Sequence, residues 1–190
     1  MRTLFANARL IDPEAGTDAP GSLAVEGGEI LGLWDAPDGP AEGMAAERID
    51  CAGLCLAPGI VDLGVKICEP GERHKESFRS AGAAAAAGGV TTMVTRPDTL
   101  PAIDSPEVLE FVTRRADEAA PVRIAPMAAL TKGRAGREMT EISFLKDAGA
   151  VAFTDGDSVV TDTRVLSRAL TYARALGALV VGHVQEPGLS

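Results

Sequence analysis

The chain has 190 residues, of which 46% are hydrophobic and 24% charged, and a formal net charge of −9. That balance fits a folded protein with a substantial core. It argues against surfaces for nucleic acid or anionic membrane, which need clustered Lys and Arg.

The first residues, MRTLFANARLIDPEAG, lack the charged region and apolar run of a signal peptide. Residues 4–11, 22–34 and 48–56 read as short strands, separated by turn-rich stretches such as Asp12-Pro13-Glu14-Ala15-Gly16. Glu26-Gly27-Gly28-Glu29 is a hairpin signal inside the second of these. Residues 1–58 are therefore expected to form a small β unit. Cys51, Cys55 and Cys68 are an odd set. They do not suggest a disulfide framework, and the C-x3-C spacing has no second pair to complete a structural zinc site. They read as small hydrophobes.

From residue 59 the pattern changes. Residues 60–63 form an apolar strand, and 77–87 an Ala-rich helix with a glycine stop. The run 81–87 is too short to span a bilayer, and the protein is expected in the cytoplasm. Residues 90–95 read as a strand. Ser105-Pro106-Glu107 opens a helix to about residue 119, with Ser as cap, Pro at the first helical position and Glu at the positive end. Then come a strand over 122–129, a helix over 138–148, a strand over 151–153, a helix over 162–176 and a strand over 179–183. Alternating strands and helices imply right-handed crossovers and a parallel sheet. Either a doubly wound sheet or a (β/α)8 barrel accommodates this order. A barrel needs eight strands, so if this is a barrel residues 59–190 are its first five and the sequence is a truncated α/β barrel beside the β unit; the alternative is a complete five-stranded doubly wound domain.

In parallel α/β folds chemistry gathers at the C-terminal ends of the strands. Here those are residues 63–70, 96–99, 130–133, 154–157 and 183–186. They also carry a family resemblance. The stretch APGIVDLGVKICEPGERHKESFRSAGAAAAAGGVTTMVTRPDTLPAIDSPEVLEFV, from Ala57, resembles bacterial type I dihydroorotase, a metal-dependent amidohydrolase of pyrimidine biosynthesis. ALTKGRAGREMTEISFLKDAGAVAFTDGDSVV and LGALVVGHVQEPGL continue the match in order. The resemblance implies a (β/α)8 TIM-type barrel with a small N-terminal β-sandwich.

The family motif after the first strand is Asp-x-His-x-His-x-Arg-Glu-Pro-Gly. Its two histidines bind metal and its arginine pairs with the substrate carboxylate. Here the aspartate is Asp62, the histidine positions are Gly64 and Lys66, and the arginine position is Cys68. Where the family reads Met-Pro-Asn-Thr, with the asparagine contacting substrate, this chain reads Arg96-Pro97-Asp98-Thr99. Asp155 matches the metal-bridging aspartate and His183 a metal-ligand histidine. The family's last histidine ligand and its general base lie beyond residue 190.

Glycine has no side-chain ligand, and an ammonium has three donors and no lone pair. Without metal, bound water keeps a pKa near 15.7 rather than about 7. The resemblance therefore implies a degenerate homologue without cofactor, acting as a structural partner of aspartate transcarbamoylase in an oligomer. The alternative is an active cyclic amidohydrolase holding one zinc through Asp155, His183 and later residues. A third reading makes Lys66 and Arg96 an anion-binding pair. Lys66 is expected to act as a tethered cation paired with Asp155 or Asp62, and His183 as a neutral hydrogen-bonded side chain. His74 is expected on the surface, and Arg96 is expected to pair with Asp98 or bind an anion.

Overall fold

The computed structural model describes residues 1–40, 47–185 and 189. The chain divides into two compact units, Met1–Pro58 and Gly59–Ser190.

The first unit is a five-stranded mixed sheet. Strands β1 (Arg2–Asp12), β2 (Thr17–Glu26) and β3 (Glu29–Trp34) form an antiparallel meander, joined by the turns read from the sequence. Strands β4 (Glu47–Asp50) and β5 (Cys55–Leu56) run parallel to β1 along its other edge. The expected strand over 22–34 is thus two strands around Gly27-Gly28, and that over 48–56 is broken at residues 51–54. Leu4, Ala6 and Ala24 are buried with Trp34 against them. Ile30, Leu33 and Ile49 stay exposed.

The second unit alternates strand and helix. Strands β6 (Ile60–Val65), β7 (Val90–Thr95) and β8 (Arg123–Pro126) make a parallel sheet in that order. The expected fourth and fifth strands shrink to bridges. Phe153 pairs in parallel with Ala128 on one side and Val180 on the other. The backbone still continues the ladder: Ala128 donates to Ala152 O at 2.9 Å, Phe153 to Leu179 O at 2.9 Å, and Val181 to Phe153 O at 2.9 Å.

Helix α1 (Phe78–Ala87) begins at Ser77, whose hydroxyl accepts from the Ser80 amide while the Ser80 hydroxyl accepts from the Ser77 amide, a reciprocal cap. Helix α2 (Pro106–Ala119) has Pro at its first position as expected, but Ser105 makes no side-chain cap to the backbone. Its hydroxyl hydrogen-bonds Glu107 instead and holds that carboxyl below its ordinary range. Helix α3 (Ile142–Asp147) is shorter than expected. Thr140 Oγ1 donates to Ala129 O at 2.7 Å, and Met139 bridges Thr131, so residues 138–141 are bound to a neighbouring loop before a helix can start. A 3-10 turn (Lys132–Arg134) lies in that loop. Helix α4 (Thr163–Ala175) is capped by Asp162, which accepts from the amides of Arg164 and Val165. No helix among the described residues is long and apolar enough to cross a membrane.

Phe78, Met93, Leu109, Val112, Leu130, Ile142, Leu145, Phe153 and Ala169 are part of one buried cluster between the sheet and the helices. Phe153 is 1% exposed and sits at the bridge joining both flanking segments. Truncating it to alanine is expected to cost about 3 to 5 kcal/mol, measured by denaturant unfolding. Phe144, 63% exposed, is the control, with an expected change within about 0.5 kcal/mol on truncation.

Candidate functional site

The loops after β6, β7 and β8 and after Phe153 place a line of charged side chains at the C-terminal ends of the parallel strands. Asp98 lies at its centre, with its side chain 1% exposed. Arg96 reaches it twice, through Nε to Oδ1 at 3.3 Å and through Nη2 to Oδ2. Lys66 Nζ lies 3.1 Å from the same Oδ2. Burial pushes the Asp98 carboxyl up, but the hydrogen bonds from Arg96 and Lys66 together outweigh it and hold the group below the ordinary carboxylate range. The Asp98 hydrogen bond in turn raises Arg96.

The network continues outward. Arg96 Nη2 lies 3.7 Å from Asp157 Oδ2, and Arg134 Nη2 bonds Asp157 Oδ1. Arg134 also donates from Nε to the Asp155 carbonyl at 2.9 Å and from Nη2 to Ser158 Oγ at 3.2 Å. Arg134 was not singled out from the sequence. Its backbone is left-handed, φ +58°, a region a non-glycine residue enters at a cost. Nothing in the string TKGRAGRE marks that conformation.

Lys66 therefore pairs with Asp98, not with Asp155 or Asp62 as expected. Asp155 is unavailable because it is buried and already engaged: Thr131 donates to it from its amide at 2.9 Å and from its hydroxyl. Asp62 lies exposed on β6. Asp98, standing where the resemblance places a substrate-contacting asparagine, is the internal counter-ion of two cations.

Gly64 has φ +84° and stands where the β6–β7 register shifts between Leu63 and Val65. A side chain there meets open space, yet strains the backbone. The main chain itself thus favours glycine at this position over a ligand-bearing side chain. Cys68 is partly buried. His183 is exposed and shares a 2.8 Å hydrogen bond with Gln185. It lines, with Asp155, Ser158 and Val180, a cavity of about 80 Å³. Glu186 lies outside the described residues. His74 is exposed, before α1.

The Glu69-Pro70-Gly71 string has a structural use. Glu69 is buried: Oε2 accepts from the Phe78 amide at 3.1 Å, at the start of α1, and Oε1 lies 3.3 Å from Arg115 of α2 and 3.5 Å from Arg73. Gly71, at φ +105°, packs on the neighbouring loop so closely that a Cβ would stand 2.6 Å from Leu100 O.

The donors present do not fit a metal held by the paired first-strand positions. Gly64 has no donor atom, Lys66 has no lone pair, and the Asp155 carboxylate is taken by Thr131. Among the described residues no group of three or more His, Cys, Asp or Glu stands together to hold a metal ion.

The dihydro-orotase-like family model matches residues 53–190. The chain belongs to the dihydro-orotase-like family. It is 42% identical over 190 residues to a dihydroorotase-like protein of Pseudomonas putida, covering all of this chain and 44% of that one. It is 37% identical over 187 residues to a dihydroorotase of Sulfurihydrogenibium sp., covering 98% of this chain and 44% of that one. The chain thus spans less than half the length of these dihydro-orotase-like relatives. The L-hydantoinase of Arthrobacter aurescens superposes with a TM-score of 0.80 at 22% identity, over 95% of this chain and 40% of the hydantoinase, a likeness of fold alone. Its neighbours in shape are (β/α)8 amidohydrolase-type proteins, and the parallel α/β arrangement of the second unit agrees with theirs.

Proposed function

We propose that this chain is the N-terminal part of a dihydroorotase-like protein of pyrimidine biosynthesis that has lost its metal chemistry and serves as a structural partner of aspartate transcarbamoylase. On this reading residues 59–190 are the first five strands of a (β/α)8 barrel. Residues 1–58 are one layer of a small β-sandwich, whose second layer would cover Ile30, Leu33 and Ile49. The observation that carries the reading is Lys66 on Asp98: a fixed ammonium occupies the position where the family places a metal-binding imidazole. The frame around it is retained, including a buried Glu69 from the Glu-Pro-Gly of the motif. A cation that neutralises a buried carboxylate supports the scaffold without a metal.

The test is metal content and dihydroorotase assay of the whole protein, with co-purification of aspartate transcarbamoylase. The expected result is no stoichiometric zinc, no ring-opening activity, and a stable complex. Stoichiometric zinc with turnover, or a monomer that captures no transcarbamoylase, overturns the proposal.

One observation favours a second reading, an active cyclic amidohydrolase with a single zinc: Asp155 and His183 face the same small cavity. Zinc binding lost in a His183→Ala variant would select it.

A further inference from the structure

We propose that Arg96 and Arg134 form a carboxylate-binding pair whose present occupant is the protein's own Asp157, and that a small dicarboxylate takes its place. Each guanidinium is fixed by a partner that cannot leave. Arg96 is held by Asp98, whose side chain is almost fully buried, and Arg134 by the main-chain carbonyl of Asp155. Both are largely enclosed, with 24% and 18% of their side chains exposed. Arg134 is presented by a left-handed backbone at a conformational cost that its network must offset. The pair is therefore pre-organised, which lowers the entropic cost of taking a ligand.

Asp157 differs from the other partners. Its side chain is 56% exposed, and its two oxygens face different arginines, Oδ1 to Arg134 and Oδ2 to Arg96. One carboxylate lies between two guanidinium groups, hydrogen-bonded to Arg134 and within ion-pair reach of Arg96 at 3.7 Å, and carboxylates are the anions that arginine favours. It marks the chemical class of the ligand, and it is the only member of this pairing on an open side chain. Lys66 shares Asp98 Oδ2 with Arg96 and is itself 48% exposed, so an ammonium with spare donors stands beside the pair for a second carboxylate. Asp155, on the same loop as Asp157, keeps its carboxylate on Thr131 and does not compete.

The site is separate from the family's first-strand arginine position, which is Cys68 here. It holds whether or not metal chemistry has been lost, so its failure leaves the zinc test untouched.

The experiment is calorimetric titration of the whole protein with succinate, with acetate, phosphate and chloride at matched ionic strength as comparisons. Saturable succinate binding, stronger than acetate, is expected in the parent. Asp157→Asn removes the internal competitor and is expected to tighten succinate by about tenfold, since apparent affinity scales with the fraction of open sites. Arg134→Gln is expected to abolish binding, and Arg134→Lys, which keeps the charge but loses the fork, to weaken it severely. Circular dichroism checks that each variant is folded. Succinate no better than chloride in both parent and Asp157→Asn overturns the proposal. So does phosphate binding tighter than succinate, or unchanged affinity in Arg134→Lys.

Discussion

Replacing Asp98 with alanine is expected to destabilise the protein by about 3 kcal/mol, measured by denaturant unfolding at neutral pH. The carboxylate is buried and binds two cations, so its removal strands both. Lys66 is about half exposed and regains water easily, whereas Arg96 is largely enclosed and loses two hydrogen bonds at once. Most of the loss therefore belongs to Arg96. Lys66→Ala is expected to cost about 1 kcal/mol or less, as half-exposed pairs do. Asp98→Asn, which restores the residue the family carries there, is expected to fall between: the amide oxygen still accepts, but without charge.

The same pair fixes a pH signature. Asp98 is held below its ordinary value in the folded protein. A carboxyl with a depressed folded pKa stabilises the fold above its unfolded value and loses that contribution as pH falls through the folded value. The stability gap between the parent and Asp98→Ala is therefore expected to stay constant from pH 7 down to about 5, to begin closing below about 4, the region of the unfolded carboxyl, and to go on closing as pH falls through the lower folded value. A gap that persists unchanged at pH 3 would show that the loss is one of packing and not of charge.

Much of the second unit was legible because its punctuation is chemical. Gly149 and Gly177 follow α3 and α4, and Ser-Pro-Glu opens α2. These signals act within a few residues, and so does the sequence. Where the chain is decided by contacts distant in sequence, the reading slipped. Residues 138–141 have helical composition, but Thr140 is bound to the carbonyls of Ala129 and Leu130, and the helix starts later. The last two strands shortened to bridges around Phe153.

The site shows the same division. That Gly64 and Lys66 carry no metal donor is a property of the residues and needs no structure. Which carboxylate Lys66 meets depends on the placement of two loops 32 positions apart, and the two aspartates expected from the sequence, Asp155 and Asp62, did not include the one it meets. Burial decides it: Asp98 is enclosed and needs counter-ions, Asp155 already has Thr131, and Asp62 lies in solvent. Arg134 was invisible because its importance rests on one backbone angle.

Replacing Glu69 with alanine is expected to cost about 3 kcal/mol, comparable with Asp98→Ala although Glu69 lies in the Glu-Pro-Gly of the family motif. In this chain its carboxylate joins the first amide of α1 to Arg115 on α2, with Arg73 alongside. Truncation leaves the Phe78 amide unpaired at a buried helix start and Arg115 without its enclosed partner. Arg73, 67% exposed, contributes little, and Arg73→Ala is expected within about 0.5 kcal/mol of the parent. Glu69→Gln keeps both acceptor and length, so about half the loss should return. Unfolding of the three variants side by side separates the two roles the motif could have. If Glu69→Ala proves as stable as the parent, the motif does not hold these helices together and its persistence needs a chemical reason. If the expected loss is found, the motif is retained as a joint of the scaffold, which explains how it survives beside Gly64, Lys66 and Cys68.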